Sequence, residues 1–296
     1  MKVSSKVPAN YHQTNLITYL AHRFTYLTAA EWQQQVEKGR VWHNGRLATA
    51  SIQLCQGDDV GSDVPDFTSP PANFDYSIVY EDGWLVGVNK PAGLRVHGNG
   101  RFTQANLIYH LRHHHFPTAD LVNRLDAQTS GVVVVAKDKE TLRRLHEQFA
   151  TQAVEKTYLA LVHGIIAPAS GQIDLPIAKQ APGQRYSPFV ATDLPYAKPA
   201  LTLYETVAAF ATTSLLRLWP KTGRTHQLRV HLTAVSHPIL GDDIYGRSDN
   251  IPRLALHCHY TSFTHPHTSW PCHIHAPWPA DLQAIQSAQT VENSQI

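Results

Sequence analysis

Apolar positions along the chain change period several times, and each change marks an element. Leu16-Ile17-Thr18-Tyr19-Leu20 and the stretch from Ala29 to Lys38 repeat at helical spacing, and Gly39 supplies a helix stop. Arg40-Val41-Trp42-His43-Asn44-Gly45-Arg46 predicts a strand entering an Asn-Gly hairpin turn. Val64-Pro65-Asp66-Phe67-Thr68-Ser69-Pro70-Pro71 then sets three prolines in a short polar stretch. Neither a helix nor a central strand tolerates that, so a linker is expected. Beyond it, Ile78 to Tyr80 and Trp84 to Asn89 predict two strands around the turn Glu81-Asp82-Gly83, and Thr103 to His115 predicts a helix with Leu107, Ile108 and Leu111 on one face. Val132 to Val135 is β-branched throughout, the pattern of a strand buried on both faces. Asp138 offers an N-cap to a helix carrying Leu142, Leu145 and Phe149. Tyr158 to Val162 and Leu201 to Phe210 alternate as strands, Ser214 to Trp219 pairs with the latter, and Thr225 to Ser236 predicts a helix with Leu228, Leu232 and Val235 inward. Strands and helices mix irregularly and without a repeat, which predicts an α+β domain with a mixed sheet over a strict βαβ series.

Composition narrows the class. Hydrophobic residues make up 43% of the 296 positions and charged residues 16%, enough for one large domain or two smaller ones. Apolar runs such as Val132 to Ala136 fall far short of the roughly 18 residues of a membrane helix. The opening Met1-Lys2-Val3-Ser4-Ser5-Lys6 lacks the apolar stretch of a secretory signal, so a soluble, cytoplasmic protein is expected. Cys55, Cys258 and Cys272 are an odd, widely spaced set that supports no disulfide framework. A net charge of +2 means that any nucleic acid must be held by a local patch. With 19 histidines, mild acidification makes the surface more cationic.

Three polar segments stand out against apolar surroundings. Asn123-Arg124-Leu125-Asp126-Ala127-Gln128-Thr129-Ser130-Gly131 puts a carboxylate beside an arginine at the mouth of the valine strand, where sites commonly form, although a structural turn cap has the same pattern. Glu155-Lys156-Thr157-Tyr158 opens an alternating strand, and the plain reading of Tyr158 is a core aromatic with its hydroxyl at the surface. Lys221-Thr222-Gly223-Arg224-Thr225-His226-Gln227-Leu228-Arg229-Val230-His231 gathers cations at a loop and the first turns of a helix. That arrangement suits phosphate, or simply a solvated basic face.

Taken together, these segments resemble the RluA-type family of RNA pseudouridine synthases. The family signature His-Arg-Leu-Asp-x-x-Thr-Ser-Gly is matched from Asn123 to Gly131 except at its first position, Lys156-Thr157-Tyr158 matches its Lys-x-Tyr, and Gly223 to His231 matches its basic motif in full. Asn89-Lys90-Pro91-Ala92-Gly93, Lys198 to Thr202, His237 to Asp242, Tyr245-Gly246 and Arg253 to His257 are also similar to the family, in its order and spacing. The N-terminal piece is similar to an S4 RNA-binding module through Gly39-x-Val41, Asn44-Gly45 and Gly57-Asp58. It is a degenerate version, with Asn15-Leu16-Ile17 in place of the usual basic-Leu-Asp opening. The resemblance implies a pseudouridine-synthase-like α+β fold: a mixed, largely antiparallel sheet with flanking helices and a central cleft, preceded by a small S4-like α/β module. The expected boundaries are 1–66 for that module, 67–74 for the linker, 75–287 for the catalytic domain and 288–296 for a C-terminal tail.

Uridine-to-pseudouridine conversion breaks a glycosidic C–N bond, turns the base and forms a C–C bond without net redox change. It needs no cofactor or metal, and the chain contains no phosphate loop or dinucleotide fingerprint. It does need an anion beside sugar and base, acting as nucleophile or base. By resemblance that group is Asp126, kept ionised and aimed by Arg229, with Tyr158 stacked on the base and its hydroxyl near the departing C5 proton. A uridine in a stem must be flipped out. Arg124 takes its place in the family, and Lys221, Arg224 and His226 follow as phosphate contacts. The implied partner is ribosomal or transfer RNA, bound by a monomer without small-molecule cofactor or membrane. Asn123 departs from the family histidine: it keeps a donor and an acceptor but cannot change charge. Two other readings remain: a non-catalytic RNA-binding or ribosome-assembly factor on the same scaffold, and a zinc-dependent hydrolase built on His257, Cys258, His259, His265, His267, Cys272, His273 and His275. The residues from 1 to 66 carry six basic against six acidic side chains, so little electrostatic RNA affinity is expected of them.

Overall fold

The computed structural model describes residues 2–64, 67–98, 100–181, 187–247 and 249–292. They fall into two compact units, one of residues 1–72 with 97–113, the other of 73–96 with 114–296. Pro65 and Asp66, in the proline-rich stretch at the end of the expected module, lie outside the described residues.

The smaller unit contains strand β1 (Lys2–Lys6), helices α1 (Leu16–Arg23) and α2 (Ala29–Glu37), and strands β2 (Val41–His43), β3 (Arg46–Leu47) and β4 (Asp59–Asp63). The strands form an antiparallel sheet in the order β1-β4-β2-β3. Its core is the predicted apolar face of both helices, with Leu16, Tyr19, Leu20 and Trp32 fully buried against Val41, Leu54 and Val60. Thr28 and Glu31 form a reciprocal capping box at α2, and Asn15 caps α1. Asn44 and Gly45 both have positive φ, 50° and 76°, which is what a tight two-residue hairpin turn demands. Asp58 fastens this turn by accepting from Asn44, His43 and the Cys55 amide, and those hydrogen bonds hold its carboxyl at about 2. Helix α3 (Leu107–His114) starts later than predicted, because the Asn106 side chain accepts from the Tyr109 amide and caps it there.

The larger unit is built on one sheet, of ten strands among the described residues. These are β5 (Ser77–Glu81), β6 (Leu85–Lys90), β7 (Asp120–Leu121), β8 (Ser130–Ala136), β9 (Glu155–His163), β10 (Ser170–Asp174), then, after the separate hairpin of β11 (Ile177–Lys179) and β12 (Phe189–Ala191), β13 (Leu201–Ala209), β14 (Thr213–Pro220), β15 (Leu256–Thr264) and β16 (Pro271–His275). The order is β10-β13-β14-β9-β15-β8-β6-β5, with β16 beside β15 and β7 beside β8. Every pairing is antiparallel except β8 with β15. This is the mixed, largely antiparallel α+β sheet that the sequence predicts. Strand β8 is buried along its whole length, as its valine run requires. At its start Gly131 (φ +109°) faces Cys258, and a Cβ there would stand 2.2 Å from the Cys258 carbonyl oxygen. Only glycine allows that approach. Helices α4 (Lys139–Ala150), α5 (Gln227–Ala234) and α6 (Ala280–Glu292) accompany the sheet, and Asp138 caps α4 through the Thr141 amide.

Two expected boundaries shift. Residues 97–113 group with the smaller unit, where Gln104 bonds Ser69 and Arg101 pairs with Glu31. Helix α6 runs through position 288, where a tail was expected; its Leu282 is fully buried. Residues 293–296 lie outside the described residues.

Candidate active site

Asp126 sits in the loop that leads into β8, and the loop is tied at several points. Its own carbonyl accepts from the Thr129 amide at 3.2 Å, and the Ala127 carbonyl accepts from the Gly93 amide at 2.8 Å. Lys90, fully buried at the end of β6, reaches the same place. Its Nζ donates to the carbonyls of Ala127 (2.9 Å), Pro91 (2.8 Å) and Leu94 (2.8 Å), one acceptor for each ammonium hydrogen. Burial pushes the Lys90 pKa down to about 7, with Arg253 acting the same way and Asp126 opposing. Leu125, 7% exposed, anchors the loop, whereas the Asp126 side chain is one-third exposed. Asn123 accepts from the Val134 amide at 2.7 Å, so it stitches the loop to β8; its Nδ2 is buried without a hydrogen-bond partner among the described residues.

Asp126 opens onto a cleft of about 560 Å³, a volume ordinary for a ligand site. The cleft also gathers Tyr158 from β9, Arg124, Arg224 and His226 from the loops, and Arg229 from α5. Lys221 lines an adjoining groove of about 380 Å³ that shares Lys156 and Arg224 with the cleft. The three polar segments of the sequence therefore converge, although their members do different things. Arg124 is exposed and makes no hydrogen bond or ion pair with the described residues. Arg224 is exposed as well, with Nε donating to the Pro199 carbonyl at 2.9 Å. Gln227 accepts from the Thr222 hydroxyl and the Arg224 amide, and donates to the Leu201 carbonyl and the Thr202 hydroxyl, which fixes the basic loop against β13.

Arg229 departs from the expected arrangement. It is 3% exposed, and its direct bonds go to Asp242: Nε to Oδ2 at 2.8 Å and a terminal nitrogen to Oδ1 at 2.6 Å, with Asp243 at 3.2 Å. Burial works to raise the Asp242 pKa, but the Arg229 hydrogen bonds and charge override it, and the carboxyl lies below its ordinary value. Asp126 feels Arg229 only through space. His226 lines the same cleft: burial holds its pKa below the ordinary value, Arg229 acts in the same direction, and Asp126, Asp242 and Asp243 pull the other way. Its Nε2 faces Asp126 Oδ1 at 3.8 Å. Tyr158 is 8% exposed, and burial raises its phenol pKa well above 10, with Cys258 as hydrogen-bond neighbour and Asp126 acting in the same sense. It is therefore a neutral ring and hydroxyl, not a phenolate base.

Lys90, Lys156, Asp242 and Tyr245 join the site without a role having been read from the sequence. All lie in stretches similar to the family, but spacing along a chain does not say which side chain faces which. The C-terminal histidines of the zinc reading scatter. His257 bonds Ser130 and the Ala276 carbonyl, His265 pairs with Asp82, His267 bonds Thr141, His273 meets Tyr260, and His259 and His275 meet each other. Among the described residues no group of three or more His, Cys, Asp or Glu side chains could hold a metal ion. All three cysteines are free.

These histidines give a pH prediction. Burial pushes His257 down to about 4 and also lowers His226, His231 and His259. An unfolded histidine takes its proton near 6.5, so below that pH the unfolded chain binds more protons than the folded one. Stability is therefore complete above about pH 6.5 and falls by about 1.4 kcal/mol per pH unit for His257 alone between there and pH 4. Urea midpoints at pH 7.5 and 5.0 measure the decline, and His257→Gln makes it shallower.

The chain is similar to known proteins along most of its length. Residues 85–234 match the RNA pseudouridylate synthase family. The chain is 33% identical to ribosomal large subunit pseudouridine synthase D of Nitrosomonas europaea, across 95% of this chain and 87% of that protein. It is 39% identical to the dual-specificity RNA pseudouridine synthase RluA of Escherichia coli, across 67% of this chain and 91% of that one. Among solved structures, human RNA pseudouridylate synthase domain containing 1 superposes with a TM-score of 0.61 at 29% identity, across 71% of this chain and 86% of that chain. The α+β fold and these likenesses together define an RNA-modifying isomerase. The chain belongs to the RluA-type RNA pseudouridine synthases. No described helix is long and apolar enough to cross a membrane.

Proposed function

We propose that this chain isomerises uridine in large-subunit ribosomal RNA, with Asp126 as the reacting carboxylate. The observation that carries the catalytic part is the convergence of Asp126, Tyr158 and Arg229 on one cleft whose rim holds the exposed Arg124 and Arg224. Asp126 supplies the anion beside the ribose while the N1–C1′ bond breaks. The base turns, C5 bonds to C1′, the C5 proton leaves and N1 gains one, so atoms and electrons balance without a cofactor. Tyr158 stacks on the base, and its neutral hydroxyl stands near the C5 proton. Arg229, locked on Asp242, anchors the α5 wall of the cleft that Asp126 lines. Arg124 moves into the stack to replace the flipped uridine, and its lack of hydrogen bonds or ion pairs to described side chains supports that role. Extrusion costs a few kcal/mol.

The choice of ribosomal RNA rests on the similarity to the large-subunit synthase, which runs through 95% of this chain, the smaller unit included. We read that unit as an S4-like module with spent electrostatics, since its first 66 residues have six charges of each sign. Affinity for RNA falls with salt in proportion to the phosphates neutralised. Arg224→Ala should flatten the log–log slope by roughly 0.7 to 0.9, one phosphate's worth, whereas Arg46→Ala, on exposed β3, should change it little. The target itself is tested by mapping pseudouridines with carbodiimide in cells with and without this gene. Loss of a large-subunit site supports the reading, and loss confined to transfer RNA overturns it.

A further inference from the structure

His226 offers an atom to the reaction that its place in a basic motif conceals. Its backbone is in the left-handed region (φ 56°), unusual for a residue with a side chain, and that turn ends the basic loop just before α5. The ring lies edge-on to both Tyr245, at 5.5 Å, and Phe189 of β12, at 5.9 Å. Its Nδ1 is 2.8 Å from the Tyr245 hydroxyl, which also receives the Phe189 amide at 3.0 Å.

Hydrogen counting favours one tautomer. The Phe189 amide can only donate, so it occupies one lone pair of the Tyr245 oxygen. The hydroxyl's own hydrogen needs an acceptor, and among the described residues the only one within hydrogen-bond distance is His226 Nδ1. With Nδ1 accepting, a neutral imidazole carries its hydrogen on Nε2, the atom that faces Asp126 Oδ1 at 3.8 Å. The opposite tautomer would leave the tyrosine hydrogen without a protein acceptor and aim a lone pair at a carboxylate.

We infer that His226 is a positioning residue, held by Tyr245 in the Nε2–H tautomer so that it donates a hydrogen bond to Asp126 once substrate closes the gap. An inward movement of about 1 Å reaches hydrogen-bond distance, and such contacts commonly tighten only in the complex. A neutral donor orients the carboxylate without neutralising its charge, which a cation there would do. Phe189 belongs to the β11–β12 hairpin, so the setting of that hairpin reaches Asp126 through Tyr245 and His226. The inference rests on Asp126 being the reacting carboxylate.

The test uses the full chain and an unmodified large-subunit ribosomal RNA transcript carrying 5-tritiated uridine, with tritium release followed in single turnovers at saturating enzyme. His226→Leu should lower the saturated rate roughly ten- to hundredfold, the worth of a hydrogen bond to a charged group, with RNA affinity and its salt slope unchanged. In His226→Gln the side-chain amide can stand where Nε2 stood, and most of the rate should return. Long-range proton–nitrogen spectra of histidine-labelled protein should show His226 Nδ1 unprotonated in the wild type, and Tyr245→Phe should release that preference. A saturated rate untouched by His226→Leu overturns the inference, as does a loss found only in affinity and salt slope, which would make His226 the phosphate contact of the sequence reading. A protonated Nδ1 in the wild type overturns it too, and the spectra decide even if His226→Leu fails to fold. Full activity in Asp126→Asn would instead defeat the carboxylate assignment, whatever tautomer the spectra report.

Discussion

Asp126→Asn should lower pseudouridine formation by on the order of 10⁴-fold or more, to below detection, while the fold and RNA binding persist. The substitution keeps the shape and removes only the negative charge, and among the described residues no other carboxylate lines the cleft. Little stability is at stake: the side chain is one-third exposed and faces His226 at 3.8 Å, beyond hydrogen-bond distance. Surface changes of that kind usually stay within about 0.5 kcal/mol. Tritium release from 5-tritiated uridine, measured beside urea unfolding and an RNA-binding titration, separates the three quantities. Turnover near the wild-type rate would refute the role of Asp126.

Arg229→Met has its largest effect on the fold. The substitution preserves most of the volume of the arginine stem but leaves Asp242 as a buried carboxylate stripped of its partner. Breaking one side of a buried ion pair costs about 3–5 kcal/mol, which for a unit of this size lowers Tm by roughly 6–20 °C. Asp242→Asn should cost a similar amount, since it also weakens the acceptor for the Ile244 and Tyr245 amides. The double variant Arg229→Met with Asp242→Leu should recover part of the loss, because no unpaired charge remains. Because the folded Asp242 pKa is depressed, the pair's contribution is complete above the unfolded value near 3.9 and disappears as pH falls through the folded one. Differential scanning of the three variants measures all of this. If Arg229→Met loses activity with an unchanged Tm, Arg229 acts on Asp126 alone and the Asp242 lock is incidental.

Local chemistry decided most of the elements, and those were legible. The valine run could only be a buried strand, Asp138 and Asn44-Gly45 act within a few residues of themselves, and α2 ends at its own glycine stop, Gly39. The motifs also named the loops that meet at the cleft, because Asp126, Tyr158 and the Lys221–Arg229 segment each sit at a junction of loop and regular structure. What the chain alone left open were the partners. Arg229 was read as the companion of Asp126, yet its fork closes on Asp242, thirteen residues away along a turn that only the folded chain brings back to α5. His226 was read as a phosphate contact within a basic motif, but the folded chain half-buries it, which lowers its pKa, and Tyr245 and Phe189, remote in sequence, orient it. Lys90 looked like any motif lysine until its three hydrogens met three carbonyls beneath the Asp126 loop. Periodicity, caps and turns depend on neighbours in sequence and are fixed by composition and order. Charge states and pairings depend on which distant surfaces exclude water together, and that is decided only when the sheet closes.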